Sequence, residues 1–255
     1  MKKINCSSAM LQNIAFVTMF IDHFFAIVFS AYMDTLQGSA YLEAYYVYRT
    51  GRAIGRISFV LFAYLLVEGF VYTRNRKKYL LRLGVLALLS EIPFDLAFQR
   101  KLYAPESQNV YFTLVLGLFV MMLLEWYQNK GVQVLVILSG CAAAWVLQTD
   151  YMFMGILLIV SFYYNRGRLF RQMVWSALIM GGGMIAVYLV RYGTAEDTIM
   201  LYVYSGLREL YGMIAFLFIA CYRGERGSRI PKAITYGFYP VHLLVLTGIR
   251  QLLLG

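Results

Sequence analysis

The chain has 255 residues, of which 61% are hydrophobic and 14% charged, and it carries a net charge of +10. Soluble domains are about 45–50% apolar and about 25% charged, so a mean hydropathy of +0.64 excludes an ordinary soluble fold. The basic excess does not point to nucleic acid, because Lys and Arg sit in short clusters between apolar runs, the pattern of membrane topology.

Apolar runs occur at 10–32, 53–72, 80–98, 109–127, 132–148, 151–164, 172–190, 200–221 and 233–253. Crossing a bilayer takes about 20 such residues, so the runs predict an all-α, polytopic transmembrane bundle of nine spans forming one domain over 1–255. The alternating pattern of an outer-membrane barrel is absent. The opening MKK resembles a signal peptide, but the run after it is too long and too polar at its centre for a cleaved one. The sixth run covers roughly 21 Å of helix at 1.5 Å per residue. It reads as a short or partly buried span, because a re-entrant segment would break the alternation of charge.

That alternation is clear. Lys2 and Lys3, then Arg74, Arg76, Lys77 and Lys78, then Lys130, then Arg166, Arg168 and Arg171, then Arg223, Arg226, Arg229 and Lys232 fall on one side. The opposite connections hold Arg49, Arg100, Lys101, Arg191 and Arg250. The positive-inside rule puts the N-terminus in the cytoplasm and the C-terminus outside, in a bacterial inner membrane.

Asp22 and His23 interrupt the first span roughly 18 Å along the helix, near the midplane. An ionisable residue there costs roughly 2.5–3.5 kcal/mol on insertion scales unless it meets a partner or a polar cavity. Histidine is also the side chain suited to proton transfer near neutral pH. Neighbours in sequence lie about 100° apart on a helix, so these two face different elements. Arg52 and Arg56 share a face of the second span, with Glu68 three turns below. Glu91 and Asp95 share a face of the third, around Pro93. Arg208 and Glu209 lie near mid-depth in the eighth. Tyr236, Tyr239, Pro240 and His242 lie in the ninth. By depth, His23, Glu91, Arg208 and His242 can meet at one level. Spans four to seven carry almost no interior charge beyond Glu125. The expected outcome is a polar half around spans one, two, three, eight and nine, backed by an apolar half. Ion pairing that only braces the bundle is the competing reading for Arg56, Arg208 and Glu209.

Cys6, Cys141 and Cys221 are odd in number and widely spaced, offering neither a disulfide framework nor a metal cluster. No metal is expected. Gly181, Gly182 and Gly183 read as helix packing and are compatible with a homodimer.

Three stretches resemble the TraX family of membrane proteins: IAFVTMFIDH in the first span, the block from Gly55 to Phe98, and YGFYPVHLLVL from Tyr236 to Leu246. The resemblance implies acyl transfer from coenzyme A, and an acetyl-coenzyme A-dependent acyltransferase acting on an amine or hydroxyl. It casts His23 as base or transient acyl carrier. Asp22, Glu91 or Asp95 would orient it, with Arg56 or His242 at the oxyanion. Arg74, Arg76, Lys77, Lys78 and Arg82, with Arg229 and Lys232 opposite, would bind the phosphates of acetyl-coenzyme A. The acceptor would be a pilin-like peptide, a glycan or a lipid head group. Type-3 acyltransferases, a related group, carry a basic residue, ten residues, then histidine. Here Gln12 takes the basic position, and Val60 stands where many relatives have proline. A proton-coupled transporter built on the midplane Asp-His pair is the alternative.

Overall fold

The computed structural model describes residues 5–193, 196–228 and 231–254. All regular secondary structure among them is helical. The helices are α1 (Ser8–Met33), α2 (Gly38–Tyr72), α3 (Arg76–Phe98), α4 (Val110–Trp126), α5 (Lys130–Val146), α6 (Met152–Tyr164), α7 (residues 169–192), α8 (residues 196–219) and α9 (Lys232–Leu254). Three are long and apolar enough to cross a membrane: α1, α2 and Leu169–Val190 of α7. Helices α4, α5 and α6 are apolar but shorter.

Local chemistry sets the helix boundaries. Side chains of Ser7, Asn75, Asn109 and Asn129 accept backbone N–H bonds at the starts of α1, α3, α4 and α5, satisfying donors that a first turn leaves open. Helix α2 has 35 residues. At 1.5 Å per residue it runs roughly 52 Å, well beyond a hydrocarbon core of about 30 Å. Its N-terminal extension carries exposed Tyr41, Tyr45 and Tyr46, side chains that favour a membrane–water interface.

The chain runs back and forth between two ends. At the basic end Cys6 N–H bonds the Cys221 carbonyl at 2.9 Å, and Arg166 reaches Glu68 at 2.7 Å and the Tyr72 hydroxyl at 3.1 Å. At the opposite end Gln108 N–H bonds the Gln148 carbonyl at 3.1 Å. Helix α6 therefore connects the two ends. Its 13 residues suffice because the turn before it, Thr149 to Tyr151, folds into the bundle: Thr149 is fully buried and Tyr151 stacks on Phe59 of α2. Gln148 and Met152, on either side of this turn, both take positive φ.

Helix α2 is the central element. Phe59, Val60, Leu61 and Phe70 pack with Leu118 and Met121 of α4, Leu158 and Phe162 of α6 and Phe216 of α8. A second core joins Phe16 and Met19 of α1 to Phe94 of α3 and Tyr239, Leu243 and Leu246 of α9. Helices α1 and α2 cross through Gly51 and Gly55, a small-xxx-small pair that lets two backbones approach. A Cβ on Gly51 would stand 2.0 Å from the Phe25 ring, and one on Gly55 2.0 Å from the Asp22 carboxylate.

Candidate functional site

Asp22 and His23 do face different elements. Asp22 turns to α2, where its carboxylate receives Arg52 at 2.7 Å and Arg56 at 3.1 Å. Arg56 also reaches Glu209 of α8 at 3.4 Å. Glu209 is fully buried, and Arg208 touches the same carboxylate at 3.7 Å. A chain of alternating charge therefore links α1, α2 and α8. Pairing of this kind is what makes buried charge tolerable; removing one member would leave its partner uncompensated.

His23 turns to α9. Its Nδ1 lies 2.6 Å from His242 Nε2, with the two rings parallel to within 3°. His242 Nδ1 lies 2.7 Å from the Phe238 carbonyl. A carbonyl only accepts, so His242 Nδ1 carries the proton and its Nε2 presents a lone pair when both rings are neutral. His23 Nδ1 then donates to that lone pair, which leaves His23 Nε2 with the lone pair a substrate can use. Just past His23 the helix widens into a π turn over Phe25–Phe29, and the Asp22 carbonyl accepts an additional bond from Arg52 at 3.2 Å.

His23, Asp22, Arg52 and Arg56 line a cavity of about 300 Å³ together with Asp150, Tyr151 and Tyr239. Asp150 comes from the folded-in turn between α5 and α6. The protein packed around it raises its carboxyl to about 6, opposed by the pull of Arg56, although the residue itself is exposed.

A second cavity, of about 650 Å³, opens at the basic end between α1, α2, α3 and α9. Gln12, Tyr79, Tyr236 and Arg226 line it. Phe62 belongs to the walls of both cavities. Phe16 packs on Phe62 at 5.7 Å and stacks on Phe238 at 4.6 Å, so an aromatic partition separates the two spaces.

The expected constellation is only partly assembled. Asp22, His23, Arg56 and His242 come together. Glu91 and Asp95 do not join them, which corrects the expectation that either could orient His23. Glu91 accepts from the Asn109 side chain and backbone, and Asp95 accepts from Ala104 N–H at 2.8 Å. Both carboxylates hold the α3–α4 connection. The side chain that meets His23 is His242, through the 2.6 Å contact between the two rings. Arg208 does not join the group either: it lines a separate cavity with Arg49 and Tyr204 and is absent from the lining of the His23 cavity. Among the basic residues, Arg74, Lys77, Lys78 and Arg82 are exposed at the basic end, while Arg76 pairs with Glu125 and lies over the Phe70 ring. The cavity wall itself carries Arg226 instead. Arg229 and the Lys232 side chain lie outside the described residues. Gln12 lines the basic-end cavity rather than the His23 cavity.

Three members had a weak or absent sequence signal. Asp150 sits at the edge of a short apolar run and reads as a loop residue. Glu209 reads as one half of a local pair with Arg208. Arg52 stands near a predicted span end. Its i, i+4 spacing to Arg56 was the one available clue, and both arginines meet the same carboxylate. Among the described residues no group of three or more His, Cys, Asp or Glu side chains is arranged to hold a metal.

The family model described as TraX protein matches residues 7–250. A probable fimbrial assembly protein FimC, serogroup H1, from Dichelobacter nodosus is 26% identical over 261 residues, covering 99% of each chain. No solved structure matches.

Proposed function

Starting from the fact that the chain belongs to the TraX family, we propose that it is a membrane-embedded acyltransferase of the bacterial inner membrane. It takes an acetyl group from acetyl-coenzyme A and gives it to an amine or hydroxyl acceptor. The observation that carries this reading is the Phe238–His242–His23 relay, which leaves one basic nitrogen at the edge of a cavity that arginines line. A general base must have its lone pair free and its ring held, and this arrangement supplies both.

In the proposed reaction an acceptor nitrogen or oxygen attacks the thioester carbonyl. His23 Nε2 takes the acceptor's proton as the new bond forms. The oxyanion of the tetrahedral intermediate is stabilised by the Arg52 and Arg56 guanidiniums that line the cavity. Collapse breaks the carbon–sulfur bond, and the coenzyme A thiolate leaves with the proton held by His23. His242 is a positioning residue. Asp22 keeps the two arginines in place and offsets their charge.

The basic end offers Arg226 and the exposed Arg74, Lys77, Lys78 and Arg82 to the coenzyme's phosphates, which favours a donor entering from there with the N-terminus cytoplasmic. The thioester would pass the Phe62 partition to reach His23. The name of the Dichelobacter nodosus relative favours a fimbrial subunit as acceptor.

The test is release of coenzyme A thiol from acetyl-coenzyme A by the purified protein in detergent, with a peptide amine as acceptor. Acetyl transfer that depends on His23 is the expected result. Transfer undiminished in His23→Ala would remove the proposed base. Proton flux through the protein in liposomes, without any binding of acetyl-coenzyme A, would replace the enzyme reading with a transporter.

A further inference from the structure

On the other side of the Arg56–Glu209 pair lies a groove that plays no part in the proposed reaction. It has a volume of about 690 Å³ and is bounded by α8 and the N-terminal part of α2. Two guanidiniums, of Arg49 and Arg208, stand in its wall with Tyr204, and Leu207, Ile214 and Leu217 continue it along α8. The leucines and Ile214 are exposed in the protein alone, Leu217 to 68%. From 207 to 217 the helix, with a 3-10 stretch over Leu210–Ile214, rises roughly 15–18 Å, about half of a hydrocarbon core of about 30 Å.

We propose that this groove binds one anionic phospholipid, its phosphate held between Arg49 and Arg208 and an acyl chain lying along Leu207, Ile214 and Leu217. The charge of the groove chooses the occupant. Arg49 lies over the Tyr204 ring at 4.1 Å and has no ion-pair partner among the described residues. Arg208 reaches Glu209 only at 3.7 Å, and that carboxylate already serves Arg56. Both guanidiniums therefore have donors to spare beside an apolar strip, and a phosphodiester with hydrocarbon attached satisfies both features. Arg49 follows the exposed tyrosines of the α2 extension, the level at which a headgroup sits. The assignment needs only that the helices lie in a bilayer and does not depend on acyl transfer.

Native mass spectrometry of the detergent-purified protein tests it with three probes: phosphatidylglycerol, phosphatidylcholine and glycerol 3-phosphate. One phosphatidylglycerol should be retained about tenfold more than phosphatidylcholine, a difference of about 1.4 kcal/mol. That preference should vanish in the double variant Arg49→Gln, Arg208→Gln. Should the double variant fail to fold, Arg49→Gln alone weakens the preference, and Leu217→Trp lowers phosphatidylglycerol retention by filling the strip without touching either arginine. Equal retention of the two lipids, or a preference unchanged by these variants, overturns the proposal. Glycerol 3-phosphate held as tightly as phosphatidylglycerol assigns the site to a soluble phosphate instead. A dimer that covers the groove and excludes lipid overturns it as well.

Discussion

On the His23 side of Phe62 the charged side chains other than Asp150 answer one another within the protein. On the basic-end side they mostly face outward. Asp22 is held by two arginines, Glu209 by Arg56, and His23 by a histidine that is itself tied to a carbonyl. Arg74, Lys77, Lys78 and Arg82 are exposed, and the cavity beside them is more than twice as large, at about 650 Å³ against about 300 Å³. A small space lined by mutually fixed polar groups suits chemistry, which needs orientation before the substrate arrives. A wide space below exposed cations suits capture of a long, charged donor. Polar groups in an apolar chain therefore fall into two kinds, those paired within the protein and those left facing outward, and the proposed reaction uses the first to orient and the second to capture.

The largest effect expected from that contrast is at His23. His23→Ala removes the free Nε2 and should lower coenzyme A release about 100-fold or more, the low end of what a general base contributes. The melting temperature in detergent should change little, because the ring borders a cavity. Normal turnover by this variant would show that pairing at the site serves stability alone.

Arg56→Ala comes next and acts on folding. It leaves fully buried Glu209 with only the distant Arg208, and leaves Asp22 with Arg52 alone. Breaking a buried pair costs about 3–5 kcal/mol, enough to lose monodisperse protein on size-exclusion chromatography. Arg74→Ala, at the basic end, should stay within about 0.5 kcal/mol of the parent, as exposed substitutions do. Equal losses from the two would erase the distinction between the cavities.

The all-helical architecture was legible because hydrophobic runs of span length have few other solutions. The Asp22-His23 pair was legible because its midplane cost demands a reason. Glu91 and Asp95 carry the same signal and mean something else. They share a helix face, yet that face turns to the α3–α4 connection, where Asn109 and Ala104 need acceptors. Helix rotation decides this, and residue spacing within one helix does not report rotation relative to its neighbours. Asp150 was illegible for a different reason. The sixth run looked short because the turn that leads into it is folded into the bundle, and nothing in Thr149-Asp150-Tyr151 announces that. The spacing of Gly51 and Gly55 was visible, but what it admits, the Asp22 carboxylate against α2, appears only once the helices are packed.

Gly55→Ala tests that crossing with a smaller effect. Its Cβ would stand 2.0 Å from Asp22 Oδ1, so the helices must separate or the carboxylate must turn from its arginines. Overpacking of this sort costs about 1–3 kcal/mol. Gly84→Ala is the matched control, since nothing lies within 4 Å of its Cβ position, and it should leave thermal stability unchanged or slightly raised. A Gly55→Ala protein as stable as the control would mean that α1 and α2 have room to spare at the site.

The smallest effect belongs to Asp150, and it is a dependence on pH. Its carboxyl is raised from 3.8 to about 6, chiefly by water displaced by the protein around it, with Arg56 and Arg52 pulling it down and Asp22 and Glu209 pushing it up. A raised carboxyl binds its proton more tightly folded than unfolded, so this group favours the folded state in acid. That contribution fades as pH rises from the ordinary value and is gone above about 6. Asp150→Asn cannot lose a proton. The melting temperature of this variant relative to the parent should therefore climb between about pH 4 and pH 6.5 and level off beyond. Since Asp150 borders the same cavity as His23, the parent's turnover should show a titration in that window that the variant lacks. Parallel stability profiles would mean that Asp150, an exposed residue, is hydrated as in water, and that the pairing around Asp22 and Glu209 does not extend to the turn that precedes α6.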